Sequence, residues 1–202
     1  ELTADIEKND INNFKSMANL EKLVINNKLK VIGESLFKNL SHVKVIKIPE
    51  TVTNISNNAF EDCSSLTQIS IPSSVTAIGD SSFKGCSSLT EISIPSSVKE
   101  IGKNCFEGCT KAEQLKIDPI NTKTEMNSFN NCTSLKKLII STQFKQNQTQ
   151  NDVENHTKKS IFHHININET LFNELVGESQ LSIISLMSQI KIIDFGSSCK
   201  VG

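Results

Sequence analysis

The chain has 202 residues, enough for one large domain or a domain with a short appendage. Its formal net charge is −1 and all 21 of its basic residues are lysine. No global field therefore draws in nucleic acid or an anionic membrane, and bidentate guanidinium recognition of phosphate or guanine is excluded.

From residue 14 onward the chain repeats itself. Phe14, Phe37, Phe60, Phe83, Phe106 and Phe129 stand 23 residues apart. Three more ladders keep that step: Leu20 to Leu135, Leu23 to Leu138 and Ile25 to Ile140, with Leu, Ile, Val or Ala at each rung. A fixed period of this length is the mark of a stacked solenoid. Six cysteines in such a chain do not make a disulfide-dense mini-protein. No apolar run is long enough to span a bilayer.

The unit Leu66–Cys86 shows the logic. Ile69 and Ile71 alternate with Gln68 and Ser70, the period of a half-buried strand. Pro72 follows and stops the ladder because it has no N–H; Pro49 and Pro95 repeat this, and Pro119 comes one residue late. Val75 and Ile78 turn apolar side chains back inward, Gly79 and Gly102 suit a turn, and Phe83 plugs the far side. One unit cannot bury its own face, so neighbours must stack, strand beside strand, in a parallel sheet. The last unit is weaker: Ala112 is small, and Asn121 and Thr124 replace an apolar pair.

Units such as "LTQISIPSSVTAIGDSSFKGC" and "LTEISIPSSVKEIGKNCFEGC" resemble the BspA-like leucine-rich repeats. The resemblance covers roughly residues 14–144. It implies an α/β leucine-rich-repeat solenoid with the parallel sheet on a concave face. It also implies a surface or secreted protein that serves adhesion and protein binding, not an enzyme, with a protein ligand such as a host-cell surface or matrix protein.

Beyond the repeats the sequence divides into a solenoid at 1–142, a polar linker or loop at 143–160, and an apolar segment at 161–202. In the last of these, Leu171, Phe172, Leu175 and Val176 fall on one side of a predicted helix. Phe172 and Phe195 are again 23 apart, which reads as degenerate terminal repeats capping the solenoid. The alternative comes from "KIIDFGSSC", which resembles the magnesium-binding segment of dual-specificity CMGC kinases; that resemblance implies a magnesium role for Asp194. The chain would then be the solenoid of a kinase-associated or vestigial kinase protein. It would be inactive, because the Gly-rich loop, the Val-Ala-Ile-Lys strand and the His-Arg-Asp loop are all missing.

Other chemistry is sparse. Cys63, Cys86, Cys109 and Cys132 each follow the repeat Phe by three residues, so they form one column of small apolar side chains rather than a tetrahedral metal set. Cys105 stands where other units carry Ala59 or Ser82 and reads as a small filler. His163 and His164 lack an acidic or cysteine partner at helical spacing. Sequons at Asn39, Asn54, Asn131, Asn147, Asn155 and Asn168 are weak evidence for secretion, since a chain this rich in Asn, Ser and Thr should show about four by chance. No cofactor, metal or catalytic set is expected.

What remains is the strand face. Residues between the buried rungs point outward: Glu21, Lys22 and Val24; Lys44, Val45 and Lys47; Thr67, Gln68 and Ser70; Thr90, Glu91 and Ser93; Glu113, Gln114 and Lys116; Lys136, Lys137 and Ile139. The polar centre and its flanking lysines form the candidate partner-binding set: Lys44, Lys47, Thr67, Gln68, Ser70, Thr90, Glu91, Ser93, Gln114, Lys116, Lys136 and Lys137. With no Trp, Tyr or Arg to act as anchors, contacts there are expected to be weak or multivalent.

Overall fold

The computed structural model describes residues Leu2–Ala4, 20–118, 122–140 and Ile192–Asp194. Each unit turns its two alternating apolar rungs into a short strand and then makes a second, two-residue strand on the way back. In chain order the strands are β1 (Leu2–Ala4), β2 (Lys22–Ile25), β3 (Val31–Ile32), β4 (Val45–Lys47), β5 (Asn54–Ile55), β6 (Gln68–Ser70) and β7 (Ala77–Ile78). They continue as β8 (Glu91–Ser93), β9 (Glu100–Ile101), β10 (Gln114–Ile117), β11 (Lys123–Thr124), β12 (Lys137–Ile140) and β13 (Ile192–Asp194). Among the described residues there is no helix; turns carry the chain past each Phe.

All pairings are parallel, and the repeat sets their register. Ile46 lies opposite Leu23 and Ile69, and Leu115 lies opposite Ile92 and Leu138. The main sheet forms in two halves, β1-β2-β4-β6 and β13-β12-β10-β8. Between β6 and β8 the ladder is interrupted. The Thr90 N–H still reaches the Thr67 carbonyl just before the strands, but at 3.4 Å. Ile69 is correspondingly only half-buried, whereas its neighbours Ile46 and Ile92 are buried. The second sheet, β11-β9-β7-β5-β3, runs unbroken past the same point. Sequence reading treats Val75 and Ile78 only as inward-turning residues, so this second sheet is a structural addition.

The core lies between the two sheets and the turns. Phe37, Phe60, Phe83, Phe106 and Phe129 stack face to face, with centroids 5.0–5.6 Å apart and planes within 13° of parallel. The ladder rungs from Leu20 to Leu138, apart from half-buried Ile69, are buried around them. The weaker last unit shows its substitutions as buried polar groups at Asp118, Thr122 and Thr124. Thr122 donates its hydroxyl to the Val98 carbonyl at 2.8 Å.

Glycine and asparagine also have repeat positions, and here the turn reading of Gly79 and Gly102 is corrected. Left-handed backbone falls instead at Gly85 and Gly108 and at their counterparts Asn39, Asp62 and Asn131. A second left-handed column is Ser35, Asn58, Ser81, Asn104 and Asn127. Glycine takes positive φ freely and Asn and Asp take it more readily than most residues, whereas Ser35 and Ser81 adopt it without that advantage. Gly79 and Gly102 are needed for space: a Cβ there would collide with the Asn57 and Asp80 side chains and with the backbone of the preceding coil. Ser82 is likewise more than a filler. It is fully buried, and its hydroxyl lies 2.7 Å from the Gly79 carbonyl and 3.0 Å from the Ser56 carbonyl.

β1 and β13 extend the main sheet outside the 23-residue frame. Leu2 pairs with Leu23, a step of 21 residues, and Ile193 pairs with Leu138, a step of 55. The predicted linker at 143–160, the predicted helix around Leu171–Val176, and Phe14, Phe172 and Phe195 lie outside the described residues.

Candidate functional site

Strand alternation projects two columns of side chains from the main sheet. One is Lys22, Val45, Gln68, Glu91, Gln114 and Lys137; the other is Val24, Lys47, Ser70, Ser93, Lys116 and Ile139. Lys47, Gln68, Ser70, Glu91 and Lys116 are exposed, and Ser93, Gln114 and Lys137 are half-buried. The structure therefore brings eight of the twelve candidate residues together on one face.

The other four, Lys44, Thr67, Thr90 and Lys136, precede their strands and form an edge column that is largely engaged with neighbouring coils. Lys44 Nζ donates to Glu21 at 2.6 Å, and Lys136 Nζ lies 2.9 Å from a Glu113 carboxylate oxygen. The Lys44 hydrogen bond and charge hold the Glu21 carboxyl below its ordinary value. Thr67 and Thr90 point their hydroxyls at the carbonyls of Lys44 and Thr67, at 3.1 Å and 3.5 Å. The two flanking lysines thus carry little uncompensated charge. The signal was present in the sequence, since opposite charges one repeat apart stack side by side.

A depression of about 600 Å³ lies across the second sheet and involves none of the twelve. Glu34, Asn57, Asp80, Glu100, Lys103 and Glu125 are among its lining residues. Gly79 and Gly102 are among its lining residues, and Asn57 and Asp80 occupy the space beside them. Asn57 Oδ1 accepts the Asp80 N–H at 2.9 Å, and Asp80 Oδ1 accepts the Lys103 N–H at 2.8 Å.

The cysteine column is buried and free of disulfides. Each thiol faces a carbonyl one coil back: Cys63 with Phe37 at 3.1 Å, Cys86 with Phe60 at 3.2 Å, Cys109 with Phe83 at 3.5 Å and Cys132 with Phe106 at 3.2 Å. Hydrogen bonding to the adjacent thiol, then burial, raises Cys86 and Cys109 well above the ordinary thiol range. Burial raises Cys105 as well. Among the described residues, no three His, Cys, Asp or Glu side chains gather as a metal set.

Asp194, the residue given a magnesium role by the kinase resemblance, ends strand β13 and pairs with Ile139. In this chain that segment extends the main sheet. No helix among the described residues is long and apolar enough to cross a membrane.

Comparison with known proteins agrees with this architecture. The BspA type leucine rich repeat region matches the chain in six copies, over residues 7–136 and 53–200. No curated protein matches it. A leucine rich cell surface protein from Faecalibacterium prausnitzii is similar at 31% identity and a TM-score of 0.58, over 61% of this chain and 33% of its own. The pneumococcal vaccine antigen PcpA has the same fold at 23% identity and a TM-score of 0.58, over 88% of this chain and 42% of its own. The leucine-rich-repeat protein of T. pallidum has it at 21% identity and a TM-score of 0.56, over 60% and 59%. The chain thus spans between a third and three fifths of the length of these structures. Six matching copies and a parallel solenoid of the same period place the chain in the BspA-type leucine-rich-repeat family.

Proposed function

We propose that this chain is a protein-binding module of an adhesion scaffold, displayed at the cell surface or secreted, and that it binds through the exposed face of its main sheet. One observation carries the reading: two hydrogen-bonded strand pairs, β4 with β6 and β8 with β10, hold Lys47, Gln68, Ser70, Glu91 and Lys116 exposed in two regular columns. A partner docking there need not order a loop, which lowers the entropic cost of binding. The names of two similar proteins, a cell surface protein and a vaccine antigen, support the compartment. The partner is a protein ligand, a host-cell surface or matrix component.

Ser70→Trp tests the face. The side chain is exposed, so the variant should melt like the parent while losing capture of proteins from a host-cell surface or matrix extract. Asp80→Ser and Lys84→Ser, away from this face, should retain capture. Loss with the latter pair and retention with Ser70→Trp would move the binding surface elsewhere.

A further inference from the structure

We propose that the main face recognises an extended acidic peptide segment with two carboxylates four residues apart, lying across the strands from Lys47 to Lys116. This rests on the reading of that face as the binding surface and names what it takes.

The outward column reads Val24, Lys47, Ser70, Ser93, Lys116 and Ile139, a mirror arrangement about the gap between β6 and β8. Lys47 pairs in register with Ser70, and Lys116 with Ser93. Both lysines are exposed, and neither has an ion-pair partner among the described residues. By contrast Lys44 and Lys136 are compensated by Glu21 and Glu113. The available positive charge at the centre of the face is therefore a pair of points, not a patch.

Their spacing selects the ligand. Two ladder-bonded separations of about 4.8 Å, plus the step across the gap between β6 and β8, put the two lysine positions about 15 Å apart, and four residues of extended peptide at about 3.4 Å each span nearly that distance. Residues i, i+2 and i+4 of an extended segment share one face. Acidic side chains at i and i+4 would meet Lys47 and Lys116, and the residue at i+2 would sit over Ser70 and Ser93. Glu91 is exposed on the same strand as Ser93, beside that central position. It disfavours a continuous polyanion and favours a polar or basic residue there. Sparse charge of this kind suits a peptide better than a sulfated polysaccharide.

The test uses a capped, labelled nonapeptide with aspartates four residues apart, lysine midway and serine and threonine elsewhere. Its isomer has the two aspartates adjacent. Titrated by fluorescence anisotropy against the full chain, the spaced peptide should bind more tightly, and added salt should weaken it. Lys47→Ala and Lys116→Ala should each lower its affinity roughly two- to fivefold, the range expected of one exposed ion pair. Lys99→Ala, outside this face, should change nothing. Thermal melts of all three variants should match the parent, since each lysine is exposed. Equal affinity for the two isomers, no binding of either, or indifference to both lysine substitutions would overturn the proposal. Tighter, lysine-dependent binding of heparin would do so as well. If Ser70→Trp still abolishes partner capture in that case, the face remains the binding surface and only its peptide specificity is wrong. If Ser70→Trp captures like the parent, the face itself is wrong.

Discussion

Asp80 accepts a hydrogen bond from the Lys103 backbone N–H at 2.8 Å, and its carboxylate fills the space that a Cβ on Gly102 would need. The backbone of Gly79 and Asp80 crowds the same point. Gly102→Ala is therefore expected to overpack this junction and cost about 1–3 kcal/mol. Asp80→Ala should not rescue it, because the backbone contacts remain. Gly33 is the control. A Cβ there meets nothing within 4 Å and its φ is not positive, so Gly33→Ala should be neutral or stabilise by about 0.4–1 kcal/mol. Denaturant midpoints that shift alike for the two alanines would contradict the stacking of these coils.

The period, the strands and the buried ladders were legible because every unit restates them: a Phe every 23 residues can only be stacked. The second sheet was hidden because its strands are two residues long, too short for alternation to show. β1 and β13 were hidden because their steps of 21 and 55 residues leave the frame. On the candidate face, outward positions followed from alternation, and the compensation of Lys44 and Lys136 was written in Glu21 and Glu113 one repeat earlier, although it shows only once the coils are stacked. The gap between β6 and β8 had no sequence signal, since Ile69 and Ile92 are identical rungs.

Phe83→Ala removes the middle ring of the five-ring stack, whose flanking centroids lie 5.1 and 5.0 Å away. It should cost about 3–5 kcal/mol. Ser82→Ala next to it removes a buried hydroxyl from two carbonyls and should cost about 1–2 kcal/mol, less than the ring but measurable. Ser73→Ala, exposed, should stay within about 0.5 kcal/mol. Equilibrium unfolding of the three variants should give that order, and any other order would contradict the burial described.

Buried thiols with raised pKa stay protonated when those of the unfolded chain ionise. Burial alone hides Cys63, Cys86, Cys105, Cys109 and Cys132 from solvent, and all five should react with a thiol reagent only as fast as the protein opens. The linkage has a definite sign. The contribution of Cys86, Cys105 and Cys109 is fully present below the ordinary thiol value of 9.0. Above that pH the unfolded state binds fewer protons, and stability falls as pH rises. Urea midpoints should decline from pH 8 to pH 10, and less steeply in Cys105→Ala. Rapid labelling of native protein at pH 8 would show that the column is open.

Asp194 belongs to an edge strand whose partner is Ile139, and no other part of a phosphoryl-transfer site accompanies it in the sequence. Magnesium and ATP together should produce no binding heat in calorimetry and no change in melting, for the parent and for Asp194→Asn alike. Magnesium-dependent ATP binding that Asp194→Asn abolishes would restore the kinase reading.

The interruption between β6 and β8 should be visible in hydrogen exchange. Strands β4 and β10 have ladder partners on both sides, whereas β6 and β8 each lack one. Opening free energies follow local hydrogen bonding and packing. Ile69 is the least buried of the central rungs, so packing there does not compensate for the missing ladder. Amides of Gln68–Ser70 and Glu91–Ser93 should therefore exchange faster than those of Val45–Lys47 and Gln114–Ile117. The second sheet is continuous at this level through Ala77–Ile78 and Glu100–Ile101, so those amides should remain protected. The contrast separates a local gap in one sheet from a weak coil. Fast exchange in both sheets would indicate that the whole unit opens, and uniform protection would show that β6 and β8 are joined in solution. An occupant spanning Lys47 and Lys116 would bridge the two halves of the main sheet, and saturating peptide should slow exchange at Gln68–Ser70 and Glu91–Ser93 before it affects any other strand.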